Sequence, residues 1–181
     1  ISGTLAVGGN ASVSVTTTAA AGSGGAFTYA ITSGGSLASI DANTGLITAL
    51  HAGSIQIEVN SAGDISYEPA STSLVVVIAK ATPTLSFTSA GTMVVDSTLA
   101  SATTSTTNSG GAVTYAVTNG TGIGILNSAA GGIITAVQAG LVTLRATAAG
   151  SADYASVAIT RTITIGKATP TLTITSGSIV L

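Results

Sequence analysis

The chain repeats itself, and the period limits what it can fold into. KATPTL begins at Lys80 and again at Lys167, 87 residues apart. ITALHAG at 47–53 returns as ITAVQAG at 134–140, again 87 apart. FTYAIT at 27–32 returns as VTYAVT at 113–118, offset by 86. Gly63 and Tyr67 return as Gly150 and Tyr154, and SGTLAV at 2–7 resembles AGTMVV at 90–95 and SGSIVL at 176–181. A sequence that recurs at a fixed period builds the same unit each time. With 181 residues the alternatives are one large domain or two small ones, and the repeat selects two small ones. The reading is a first repeat over 1–79, a second over 80–166, and the first-strand region of a third over 167–181. Ile1 aligns near the end of the strand that KATPTLSF begins. The first repeat is therefore expected to lack most of that strand and to borrow it.

Within each repeat the apolar residues alternate with period two, the signature of a half-buried strand. Val113, Tyr115 and Val117 share one face, as do Phe27, Tyr29 and Ile31 in the first copy. Ile55, Ile57 and Val59 point inward against Gln56 and Glu58. Their counterparts are Val142, Leu144 and Ala146, against Thr143 and Arg145. Leu85 and Phe87 alternate likewise, as do Leu172 and Ile174. Arg161 falls in phase with inward Ile159 and Ile163, which predicts a bulge or strand end there. Valine and threonine favour strands, and Gly, Ser and Asn clusters separate the runs. Nothing sustains a helical period. The complete repeat reads as seven strands near 84–88, 92–95, 99–105, 112–118, 133–137, 141–148 and 157–165. Seven short strands at this spacing predict an all-β fold of tandem immunoglobulin-like Greek-key sandwiches. Pro83 and Pro170 sit at strand heads, where no ladder donor is needed.

The order GGAVTYAVTNGTG, GGIITAVQAGLVTLRATAAGSADYASV and RTITIGKATPTLTI resembles bacterial immunoglobulin-like (Big-type) repeats. The resemblance covers essentially the whole chain. It implies a large secreted or surface-attached bacterial protein, often an adhesin, in which many modules form a stalk. It implies no single ligand. The first repeat departs from the pattern in its closing strand, where LVVVIA replaces TITIG, and in its loop, where GDISYEP replaces GSADYAS.

Composition narrows the function further. Charged residues make up 6% of the chain, against roughly 25% in an ordinary domain. Thr, Ser, Gly and Ala must therefore cover most of the surface, which suits packing against other copies. Four Lys and Arg against six Asp and Glu leave no basic stripe for nucleic acid. The longest aliphatic run, LVVVIA at 74–79, falls far short of the roughly 20 residues of a spanning helix, so no membrane insertion is expected in this segment. Cysteine is absent, which removes disulfides and thiolate chemistry together. No signal peptide is read in the opening residues, so a secreted protein would carry its targeting signal elsewhere.

Two copies permit an internal test, since a site used by every module should appear twice. His51, the one histidine, faces Gln138 and reads as a surface turn residue. Asp64 faces Ser151, Glu68 faces Ala155, Asp96 faces Gly8, Asp153 faces Ser66 and Glu58 faces Arg145. Asp41 aligns with Asn127 or Ser128. No acidic position recurs, so neither clustered calcium ligands nor paired catalytic carboxylates are expected. Lys80 and Lys167 recur without the Asn or Asp partner that an isopeptide bond needs, and read as linker lysines. Tyr67 and Tyr154 read as sandwich-end residues bonded to backbone. Gly53 and Gly140 read as positions of positive φ. NAS at 10–12 and NGT at 119–121 match the N-glycosylation pattern without aligning with each other. The Thr-rich SVTTT and SATTSTT are too irregular for a flat ice-binding array.

The expectation is thus no enzyme, with no catalytic, cofactor-binding or metal-binding residue and no cofactor. The leading function is a structural spacer or stalk module of a long extracellular or bacterial cell-surface protein. Its partners are neighbouring repeats, further copies or cell-surface molecules, with a glycan permitted by the Ser/Thr content. The alternative is a binding module that recognises a glycan or protein through its sandwich-end loops.

Overall fold

In the computed structural model, residues 4–16, 25–100, 103–105 and 111–175 are described. Among them every regular element is a strand. The chain divides into two compact units. Unit 1 holds Ile1–Thr84, Thr107–Gly111 and Ala149–Val157, and unit 2 holds Leu85–Thr106, Ala112–Ala148 and Ala158–Leu181. The loop at 149–157 belongs by sequence to the second repeat and by packing to unit 1.

Unit 1 contains β1 (Leu5–Ala6), β2 (Asn10–Ser12), β3 (Phe27–Ser33), β4 (Ala38–Ile40), β5 (Leu46–Ala49), β6 (Gly53–Ser61) and β7 (Ala70–Ala79). They form one sheet ordered β1-β7-β6-β3 and another ordered β2-β5-β4. The core draws on both: Ala38, Ile47 and Ala49 come from the second sheet, and Ile55, Ile57, Val59, Val76 and Ile78 from the first. Two sheets that bury their inner faces against each other make a sandwich.

Unit 2 contains β8 (Leu85–Phe87), β9 (Thr92–Val94), β10 (Thr98–Ala100), β11 (Thr103–Ser105), β12 (Val113–Asn119), β13 (Ile123–Ser128), β14 (Ile133–Gln138), β15 (Gly140–Ala148) and β16 (Val157–Gly166). The order β12-β15-β16-β9 repeats the first sheet of unit 1, and β10-β14-β13 repeats the second. Among the described residues, unit 2 also contains the antiparallel pair β11-β8. Met93, Ile134, Ala136, Val142, Leu144, Ile163 and Ile165 fill this core. Burying each large aliphatic side chain contributes about 1.5–3 kcal/mol.

The correspondence extends to register. Leu5 pairs with Ile78 where Met93 pairs with Ile165, both in parallel ladders. The following turn is the same in both units. Gly9 N–H donates to Ala6 O at 2.9 Å, and Ser97 N–H to Val94 O at 3.0 Å. Its left-handed residue is Gly8 at φ +80° in one unit and Asp96 at φ +66° in the other. Asp is among the few side chains that tolerate this region.

Several expectations change. The run at 99–105 becomes β10 and β11, which pair with different strands, β14 and β8. The strand β13 was not expected at all, because its alternation is inverted: Ile123 and Ile125 are exposed while Gly124 is buried. Arg161 causes no strand end, since β16 runs on to Gly166. Its guanidinium stays half-buried and donates to Ser89 O. Leu172 and Ile174, expected in a strand, lie outside every strand and are 91% and 94% exposed. A strand needs a neighbour for its backbone groups. The closing SGSIVL, and parts of the Thr-rich stretches, lie outside the described residues.

Candidate functional site

A polar constellation in unit 1 is formed by the loop at 149–157 and the segments it holds. The loop closes on itself first. Ser151 N–H donates to Tyr154 O at 2.9 Å, and Tyr154 N–H donates to Ser151 Oγ at 3.2 Å. Ala81 N–H donates to Asp153 O, and Ala155 N–H donates to Ala81 O, both at 2.9 Å. These two bonds make an isolated parallel bridge between Ala81 and Tyr154. Lys80 adds a third bond, its ammonium donating to Ser151 O at 2.6 Å.

Asp153 completes the attachment with its side chain. One carboxylate oxygen accepts from His51 Nδ1 at 2.8 Å, and the other accepts from Ala52 N–H at 2.9 Å. The His51 bond first, and the Ala52 bond second, hold the Asp153 carboxyl below its ordinary range, while burial pulls the other way. His51 is therefore not an unpartnered turn residue. The copy-by-copy test missed this pair because its members come from different repeats, 102 residues apart. A search for the same residue twice cannot find a contact made once between two unlike loops.

The other singled-out residues serve the fold. Asp41 Oδ1 accepts from Asn43 N–H at 2.9 Å and Thr44 N–H at 2.8 Å, and these bonds, Thr44 first, lower its pKa. Gly45 N–H reaches Asp41 O as Gly132 N–H reaches Ser128 O. Ser128 is thus the counterpart of Asp41, and its Oγ likewise takes Gly131 N–H at 3.0 Å. Gly53 and Gly140 have φ of +151° and +140°. Asn119, of the NGT pattern, accepts Gly124 N–H at 2.9 Å and ties down the turn into β13. Tyr67 and Tyr154 act through their carbonyls: Asp64 N–H reaches Tyr67 O at 2.9 Å, matching the Ser151–Tyr154 bond. Among the described residues, no three His, Cys, Asp or Glu side chains gather as metal ligands would.

Residues 2–63 match the model of the bacterial Ig-like domain (group 2). The comparison with curated proteins found no match. Similar solved structures include Drosophila N-cadherin EC1-3, at 14% identity and a TM-score of 0.35, covering 79% of this chain and 56% of that one. Domains 1-6 of surface layer protein SbsC match at 15% and 0.35, covering 80% and 20%. The C-terminal fragment of intimin, solved with the intimin-binding domain of its translocated receptor, matches at 12% and 0.32, covering 79% and 52%. The chain spans between a fifth and just over half of these structures.

Proposed function

We propose that this chain, whose residues 2–63 match the model of the bacterial Ig-like domain, is a non-catalytic spacer in the stalk of a bacterial cell-surface or extracellular protein. One observation carries the reading. The two units share sheet order and register, while the residues that could bear chemistry differ between copies: His51 against Gln138, Asp153 against Ser66, Glu58 against Arg145. Shape is kept and reactive side chains are not, as a part used for its length requires. The weakly charged surface fits an exterior location in a crowded coat.

The test is dimensional. Chains carrying increasing numbers of the 80–166 repeat are compared by small-angle scattering. Each added repeat should lengthen the particle by a constant increment of about 30–40 Å, the length of a nine-residue strand with its end loops. Increments that shrink toward zero as repeats are added overturn the reading. So does failure of an antibody against the repeat to label intact cells of the source bacterium.

A further inference from the structure

Asn119 is the one asparagine in the sequence that is followed by glycine. A glycine nitrogen has no β-carbon beside it to hinder attack, and the asparagine side chain offers it a carbonyl carbon within reach of ring closure. The counterpart in the first repeat is Ser33-Gly34, which has no side-chain amide to close. Asn119 ends β12, paired with Val142, and both Asn119 and Gly120 are exposed to water. Neither reacting group is free in the folded unit. Asn119 Oδ1 accepts Gly124 N–H at 2.9 Å, and Gly120 N–H donates to Leu141 O at 3.1 Å. Leu141 N–H pins the same turn again through Thr121 Oγ1 at 3.0 Å.

We propose that Asn119-Gly120 is a self-modification site, held inert while the turn at 119–124 is shut and closing to a succinimide when that turn opens. Once the two hydrogen bonds part, the Gly120 nitrogen attacks Asn119 Cγ. The new C–N bond forms, the bond from Cγ to the side-chain nitrogen breaks, and that nitrogen leaves as ammonia with the proton from Gly120. Water then opens the ring on either side and gives aspartate or isoaspartate, with nothing oxidised or reduced. Aspartate still presents an oxygen to Gly124 N–H. Isoaspartate lengthens the main chain by one carbon before Gly120, which carries the N–H groups of Gly120 and Gly122 away from Leu141 O. A unit that stays open long enough to react therefore recloses without this turn. In the proposed stalk, strain would leave a lasting mark in unit 2 and none at the same place in unit 1. That use rests on the stalk reading, whereas the chemistry does not.

The experiment incubates the full chain at neutral pH with and without denaturant. Peptide mass spectrometry follows the conversion of each asparagine, and enzymatic methylation counts isoaspartate. In denaturant, Asn119 should react faster than Asn43, Asn60 and Asn127. In the folded chain it should react about thirtyfold more slowly than in denaturant, because two hydrogen bonds must part first. Thr121→Val removes the hydroxyl that holds Leu141. It should speed the folded reaction about fivefold and leave the denatured rate unchanged. Equal rates in the folded and denatured chain overturn the proposal, as does a folded rate that Thr121→Val fails to raise. So does another asparagine that outpaces Asn119 in denaturant. Each of these results leaves the repeat-length test of the stalk untouched.

Discussion

Gly140→Ala should be one of the more damaging small changes available in unit 2. A β-carbon there would run into the peptide joining Thr121 and Gly122. That turn is fastened to Leu141: the N–H groups of Gly120 and Gly122 both donate to Leu141 O at 3.1 Å, and Leu141 N–H donates to Thr121 Oγ1 at 3.0 Å. Holding an alanine at φ +140° costs about 2 kcal/mol. If the turn gives up two of its three bonds, about 1 kcal/mol each is lost. The stiffer unfolded chain returns about 0.4–1 kcal/mol. The balance is a loss of about 3 kcal/mol, or more than a hundredfold in the opening equilibrium. At the equivalent Gly53 the methyl meets only the end of the Leu37 side chain, which can turn away. Gly53→Ala should therefore lose about half as much, near 1.5 kcal/mol. A chain of two units has no single unfolding free energy, so the assay is residue-resolved amide exchange. Leu144 and Ile163 report on unit 2, and Ile57 and Val59 on unit 1. Exchange at Leu144 that rises less than about fivefold in Gly140→Ala refutes the reasoning, as does a Gly53→Ala variant that is equally damaged.

Four further outcomes are expected. A depressed folded-state pKa means that Asp153 contributes its attachment fully above the ordinary value of 3.8 and loses it as pH falls below that value; the Ala52 amide shift should report the loss, and a profile that Asp153→Asn leaves unaltered contradicts it. His51→Gln should change thermal stability by less than about 0.5 kcal/mol, because the residue is exposed and an amide can also donate to Asp153; a larger fall would show that the imidazole is needed. Ile134→Ala empties a fully buried position and should cost about 2–5 kcal/mol in unit 2 alone, so equal loosening at Ile57 would refute the separate cores. Asp96→Gly should be near neutral while Asp96→Val loses about 1–2 kcal/mol, since only the second change worsens a left-handed residue; denaturation of the two variants decides it.

What could be read from the sequence was whatever depends on local period. Ile55, Ile57 and Val59, and their counterparts Val142, Leu144 and Ala146, are all buried as their alternation requires. Gly53 and Gly140 have the positive φ expected of a glycine after an alanine in a tight connection. The strand β13 escaped because its buried position is a glycine, which carries no hydrophobic mark. The division of 99–105 escaped because partner choice is a property of the sheet and not of the strand. Arg161 kept its strand because a long side chain can lie half-buried and send its charged end to Ser89 O, a contact that periodicity does not register. The Asp153 attachment was the least legible part. Its partners His51 and Ala52 lie in another repeat, and hydrogen bonds across that separation leave no trace in composition or spacing.

The parallel pairing of β1 with β7, and of β9 with β16, bears on how each unit responds to tension. In both units an early strand lies beside the last one and runs in the same direction. Beyond the ladder, Val7 N–H bonds to Ala79 O, Val95 N–H to Gly166 O, and Thr164 N–H to Gly91 O. A pull that draws the chain apart at the start of β9 and the end of β16 slides these neighbours lengthwise past each other. The cross-links are then loaded together in shear, and none can part until several part at once. Had the two strands been antiparallel, the same pull would have peeled them open one bond at a time.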